Sequence, residues 1–158
     1  MDNQLVGERY LVEQEIVKDT KTGLIWQRRV PARRFTWGAA KQYAESLNLA
    51  GYSSGWRLPT KEELLGIVEK HVHGKGRYKG RCVGPQINIE AFPDTPYRLE
   101  SSEGAVWTSS LLTSGDQICV VRFSDGDVHC NYIDVYERDF GFGYREVIDE
   151  AWVRCVWG

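Results

Sequence analysis

The chain has 158 residues, about one domain by length, and at that size folding can bury roughly two-thirds of the unfolded surface. Hydrophobic residues make up 42% and charged residues 27%, ordinary globular usage that argues against a disordered chain. The formal net charge of −2 creates no global field for nucleic acid or an anionic membrane, so electrostatic recognition has to come from a local patch. No apolar run approaches the roughly 18 residues of a membrane-spanning helix. The N-terminal residues lack the basic start and apolar stretch of a secretory signal, leaving two expectations: a cytoplasmic protein, or a chain that begins after a removed signal. The compartment stays open. Cys82, Cys119, Cys130 and Cys155 contain no CxxC pair, which disfavours a zinc ribbon or thioredoxin-type site. Buried free thiols and one structural disulfide are equally compatible with their spacing.

In chain order, Tyr10, Val12, Ile16 and Val17 form a β-favouring stretch that ends at the turn-rich Asp19-Thr20-Lys21-Thr22-Gly23. With the strand Leu24–Gln27, residues 8–28 read as one hairpin. Thr36 is an N-cap for a helix whose apolar positions Ala39, Ala40, Tyr43, Ala44 and Leu47 recur at helical spacing, ending near 48–51. Pro59 followed by Thr60 and Glu63 makes a capping box, with Leu64, Leu65, Ile67 and Val68 as the apolar face of a second helix. Residues 70–86 read as an irregular glycine-rich loop, and Ile87 with Ile89 as a short strand. Val106–Ser110 is the next strand, followed by a hairpin of Ile118–Phe123 and Val128–Ile133 across Ser124-Asp125-Gly126. Ala151–Trp157 reads as the last strand. Two helices in the first half and strands at both ends predict a single α+β domain, residues 1–158, whose termini meet in one sheet.

Five segments carry a family resemblance, in a fixed order: Asp19-x-x-Thr22-Gly23-Leu24-x-Trp26-Gln27; Thr36-Trp37; Gly55-Trp56-Arg57-Leu58-Pro59-Thr60 with Glu62, Glu63 and Leu64; Phe92-Pro93 with Trp107-Thr108-Ser109-Ser110; and Val153-Arg154-Cys155-Val156. The set resembles a bacterial family of domains of unknown function typified by the C-terminal domain of Legionella collagen-like protein. The resemblance implies a C-type lectin-like fold, in the branch shared with formylglycine-generating enzymes, with a small twisted antiparallel sheet, two helices and long irregular loops. It also implies an exported or envelope-attached setting and, from the type member, sulfated glycans as ligands. Two stretches depart from the family pattern: a basic glycine-rich insertion, and a long acidic segment before the last strand.

The Gly55–Thr60 run reads as structural, with Trp56 and Leu58 supplying apolar area and Arg57 binding loop carbonyls or a carboxylate. Trp26, Trp107 and Trp152 read as core. From Lys70 to Arg81 the chain is basic with no acidic residue, and Lys75, Arg77, Lys79 and Arg81 could track a phosphate or sulfate backbone while Tyr78 stacks on a ring. From Asp134 to Glu150 six acids face two arginines, interleaved with aromatics; Tyr136, Arg138, Asp139 and Tyr144 are its candidate contacts. No nucleophile arrangement surrounds His71, His73 or His129, and no EF-hand-like spacing appears. The expectation is therefore a non-catalytic recognition domain, without cofactor or metal, that binds a glycan, a sulfated polyanion or a protein surface; nucleic acid is not favoured. Two alternatives stand beside it. One is an oxidase related to formylglycine-generating enzymes, with two of the four cysteines at a metal centre; the other is a structural or assembly module.

Overall fold

A computed structural model describes residues 3–69, 76–78, 81–83, 85–97, 104–112, 117–133, 147–148 and 150–158. The fold is α+β, with two helices and predominantly antiparallel sheets. Its first sheet begins with β1 (Gln4–Val6), β2 (Tyr10–Val12), β3 (Ile16–Asp19) and β4 (Ile25–Gln27), a meander of successive antiparallel pairs. The single hairpin expected over 8–28 is thus three strands, preceded by a fourth. Val12 and Ile16 are too close in sequence to continue one strand once Glu13 N–H donates back to the Ile16 carbonyl (2.9 Å), and the chain folds over there.

The helices follow their capping signals. Thr36 takes an extended conformation, accepts from the Ala39 N–H and starts α1 (Trp37–Ser46), which stops short of the end expected near 48–51. β5 (Trp56–Arg57) leads into α2 (Lys61–Leu65), opened by the reciprocal Thr60–Glu63 capping box. α2 is only five residues long, so Ile67 and Val68 lie beyond it; Ile67 is still buried, and Val68 bridges Ile87. The 70–86 stretch is not wholly irregular. β6 (Gly76–Tyr78) pairs antiparallel with β7 (Arg81–Val83).

β8 (Ala105–Leu111), β9 (Gln117–Arg122), β10 (Asp127–Ile133) and β11 (Val147–Ile148) make the second sheet, in the order β11-β10-β9-β8. The Asp-Gly signal holds: Phe123–Gly126 connects β9 to β10, Gly126 has φ +77°, and its N–H returns to the Arg122 carbonyl. The final strand is shorter than expected. Only Val156–Trp157 (β12) is strand, while Ala151 and Trp152 make single bridges to Phe35 and Val106. β12 lies between β4 and β5, so the order of the first sheet is β1-β2-β3-β4-β12-β5 and the two chain ends share it.

Both faces of β3, β4, β9 and the first half of β8 are buried, which explains their near-continuous apolar sequences. Ile16, Ile25, Trp107, Ile118 and Val120 point into one core with Ala40 and Ala44 of α1. Their neighbours Val17, Trp26, Val106 and Val121 point into a second core with Leu64, Ile67, Ile87 and Phe92. The alternation is the period of two of an extended chain, used on both sides. Trp26 and Trp107 are fully buried as expected, and Trp152 packs partly buried against the second core.

Candidate functional site

The charged residues of the ordered segments are the natural place to look for chemistry, and Asp19, Arg57, Glu63 and Arg154 each have a structural engagement. Asp19, 1% exposed, accepts from Arg9 Nε (2.7 Å) and Nη2 (2.6 Å), from the Thr22 hydroxyl (2.9 Å) and from the Lys21 N–H (3.0 Å). Burial pushes the Asp19 carboxyl up, but these donors outweigh it and hold the group below the usual carboxylate range. Gly23 closes the turn at φ +79°, donating to the Asp19 carbonyl. Arg57 forks onto Glu63 through two 2.7 Å bonds and also donates to the carbonyl of the last residue, Gly158. Its guanidinium holds the Glu63 carboxyl below its ordinary value, and Glu63 in turn accepts the Thr60 N–H.

Arg154 is fully buried. It donates to the carbonyls of Gln27 (2.7 Å) and Arg28 and to the Thr95 hydroxyl (3.0 Å), faces Asp94 at 3.6 Å, and lies over the Phe92 ring. Burial lowers its pKa to about 10, which still leaves it charged at neutral pH. Gln27 completes this joint: its side-chain oxygen accepts the Cys155 N–H, and its NH₂ donates to the Tyr43 hydroxyl. The motif thus clamps β4, the 92–95 turn, α1 and the C-terminal strand together.

Cys119 and Cys130 face each other across the β9–β10 register and form a disulfide. Cys155 is a buried free thiol, which burial pushes up to about 12. His129 pairs with Asp125 at 3.1 Å on the surface. Among the described residues no three His, Cys, Asp or Glu side chains gather as a metal site, and no helix is long and apolar enough to cross a membrane.

Of the expected contact residues, Lys75, Lys79, Tyr136, Arg138, Asp139 and Tyr144 lie outside the described residues. Arg77, Tyr78 and Arg81 fall on β6 and β7, where Arg77 is opposite Cys82 and Tyr78 opposite Arg81.

One basic stretch escaped the sequence reading. Arg28, Arg29, Arg33 and Arg34 occur within seven residues that contain no acid, a density as high as that of the 70–81 loop. The stretch is pinned at both ends. Arg28 donates to the carbonyls of Glu90 and Ala91, the Val30 N–H donates to Asp94, and the Phe35 N–H donates to the Ala151 carbonyl. Between these pins Arg29, Arg33 and Arg34 are exposed, and none has a carboxylate partner among the described residues. Arg33 lies over the buried Phe35 ring at 4.2 Å. Close by in sequence, Lys41 covers the face of Trp37 at 3.9 Å, while the Trp37 N–H donates to the Thr108 carbonyl. Planar guanidinium forks on a held backbone suit bidentate contact with sulfate, phosphate or carboxylate groups.

The comparisons agree with the ordered segments. The family model that matches is the Lcl C-terminal domain, over residues 15–142, which takes in four of the five segments and stops short of Val153–Val156. No curated protein and no solved structure matches the chain. On the strength of that match across most of its length, this chain belongs to the Lcl C-terminal domain family.

Proposed function

We propose that this domain is a non-catalytic recognition module of C-type lectin-like architecture that binds an anionic polymer, with a sulfated glycan as the first candidate. One observation carries the reading: three exposed arginines, unpaired among the described residues, sit on a backbone pinned at both ends. A pinned segment loses little conformational freedom on binding, so its charge is available for a ligand at low entropic cost. The lectin-like architecture draws support from the C-terminal strand lying between β4 and β5 and from the two helices against the sheets. The non-catalytic part draws support from the cysteines, two joined to each other and a third held protonated in the core. The charged motif residues Asp19, Arg57 and Arg154 point the same way, since each is held by hydrogen bonds within the fold.

The test is retention on immobilised heparin over a salt gradient, beside a neutral-glycan resin. Arg29→Ala/Arg33→Ala/Arg34→Ala should lower the slope of log K against log salt by about 2, the counterion release expected of three contacts. A parallel variant neutralising Lys75, Arg77, Lys79 and Arg81 measures the share of the other basic stretch. Equal retention and equal slope in wild type and both variants would refute the anionic reading.

A further inference from the structure

A cleft of about 430 Å³ lies where the β2–β3 turn meets the 49–52 turn and the N-terminal strand. We infer that this cleft is a binding site for one uncharged polyhydroxylated ring, such as a neutral monosaccharide unit. The inference rests on the recognition reading of the domain but not on its anionic ligand.

Three properties of the lining lead there. The first is charge balance: Glu13 is neutralised by Lys18 at 2.9 Å, and the cleft's other two charges, Glu15 and Arg28, are of opposite sign. A net ion gains little in such a place. The second is hydrogen-bonding type. The side chains of Asn3 and Gln14, which line the cleft, have no partner among the described residues. Each amide offers both donors and an acceptor, beside carboxylates that only accept and a guanidinium that only donates. Hydroxyl groups donate and accept at once, so a ring carrying several of them can satisfy every one of these groups, whereas an ammonium or a phosphate satisfies only half.

The third property is the apolar part. Val12 and Ala50 also line the cleft and offer methyl groups to the C–H face of a ring. Ala50 holds a left-handed conformation, φ +51°, followed by Gly51 at +89°, in the turn closed by Leu49 and Tyr52. Alanine pays a conformational cost there that glycine or asparagine would largely avoid. Its N–H is held by Glu15 Oε2 at 3.3 Å, so the turn and the cleft's carboxylate are joined.

The experiment is a titration of the isotopically labelled full chain with the methyl glycosides of glucose, galactose, mannose and N-acetylglucosamine, with glycerol as the non-ring control. At least one glycoside should shift the backbone amides of Gln14, Glu15, Arg28 and Ala50, with glycerol leaving them in place. Gln14→Ala, an exposed change, should weaken that glycoside about fivefold through one lost hydrogen bond. Glu15→Gln keeps the acceptor for Ala50 and should weaken it about threefold through the lost charge on that acceptor. Heparin retention should be the same for wild type and both variants. Shifts absent from these four amides, or equal for glycerol, or unaffected by both substitutions, overturn the inference. Heparin retention with silent glycosides sinks the cleft alone, while responsive glycosides without heparin retention sink only the anionic reading.

Discussion

Arginine plays opposite parts in two regions of this molecule. At the joint where β4 meets the C-terminal strand, Arg154 is fully buried and spends its donors on two carbonyls, a hydroxyl and a nearby carboxylate. A few residues along from those same carbonyls, Arg29, Arg33 and Arg34 stand in solvent without a carboxylate partner among the described residues. A buried guanidinium must be answered inside the fold or the fold pays its desolvation, whereas an exposed one contributes almost nothing to stability and is free for a ligand. Identical side chains therefore report architecture in one place and recognition in the other, and burial distinguishes them.

The sharpest way to break that contrast is Arg154→Met. It strands the carbonyls of Gln27 and Arg28, the Thr95 hydroxyl and Asp94, and should cost about 3–5 kcal/mol by chemical denaturation. A loss under about 1 kcal/mol would show that the joint is held by packing alone. Next in size is the disulfide. Cys119→Ser with Cys130→Ser releases a loop closed over a sequence separation of 11 and should cost about 3 kcal/mol, measured against the oxidised wild type.

Asp19→Ala leaves Arg9, the Thr22 hydroxyl and the Lys21 N–H without their acceptor, for an expected loss of about 2–3 kcal/mol. The pH profile sharpens it. The folded Asp19 and Glu63 carboxyls are held below their ordinary values, so the folded state binds fewer protons than the unfolded one. Their contribution is therefore complete above the unfolded carboxylate range, near pH 4, and is lost as the pH falls through the folded values. Asp19→Asn and Glu63→Gln should flatten that acid limb; an unchanged limb would mean the two carboxylates are not the groups that titrate. The smallest effect belongs to the other side of the comparison: Arg29→Ala/Arg33→Ala/Arg34→Ala should move stability by no more than about 0.5 kcal/mol. A larger loss would place these arginines in the framework after all.

Much of the framework was legible because local chemistry wrote it. Thr36 and the Thr60–Glu63 box fixed both helix starts, and Asp125-Gly126 marked the β9–β10 connection. Trp26 and Trp107 are recognisable as core from their strand-like surroundings, and Arg57 as a structural donor from its place in the Gly55–Thr60 run. Other features resisted. Residues 8–28 read as one hairpin because Val12 and Ile16 are both β-favouring, and the bend between them has no glycine or proline to announce it. The arginine run at 28–34 is as dense in charge as the glycine-rich loop. Its significance depended on which guanidiniums meet a carboxylate, and sequence spacing does not record that.

By itself the amino-acid sequence determined the family, the α+β class, the helix caps, the β9–β10 turn and the meeting of the two termini in one sheet. Those follow from short-range hydrogen bonding, backbone preferences and apolar periodicity, which act over a few residues. Only the tertiary structure decided that Cys119 joins Cys130 while Cys155 stays free, that Arg154 is consumed and Arg29 is not, and that Gln14, Glu15 and Ala50 line one cleft. Each of those outcomes turns on which side chains from distant parts of the chain come within a few ångströms, and chain folding alone sets that distance.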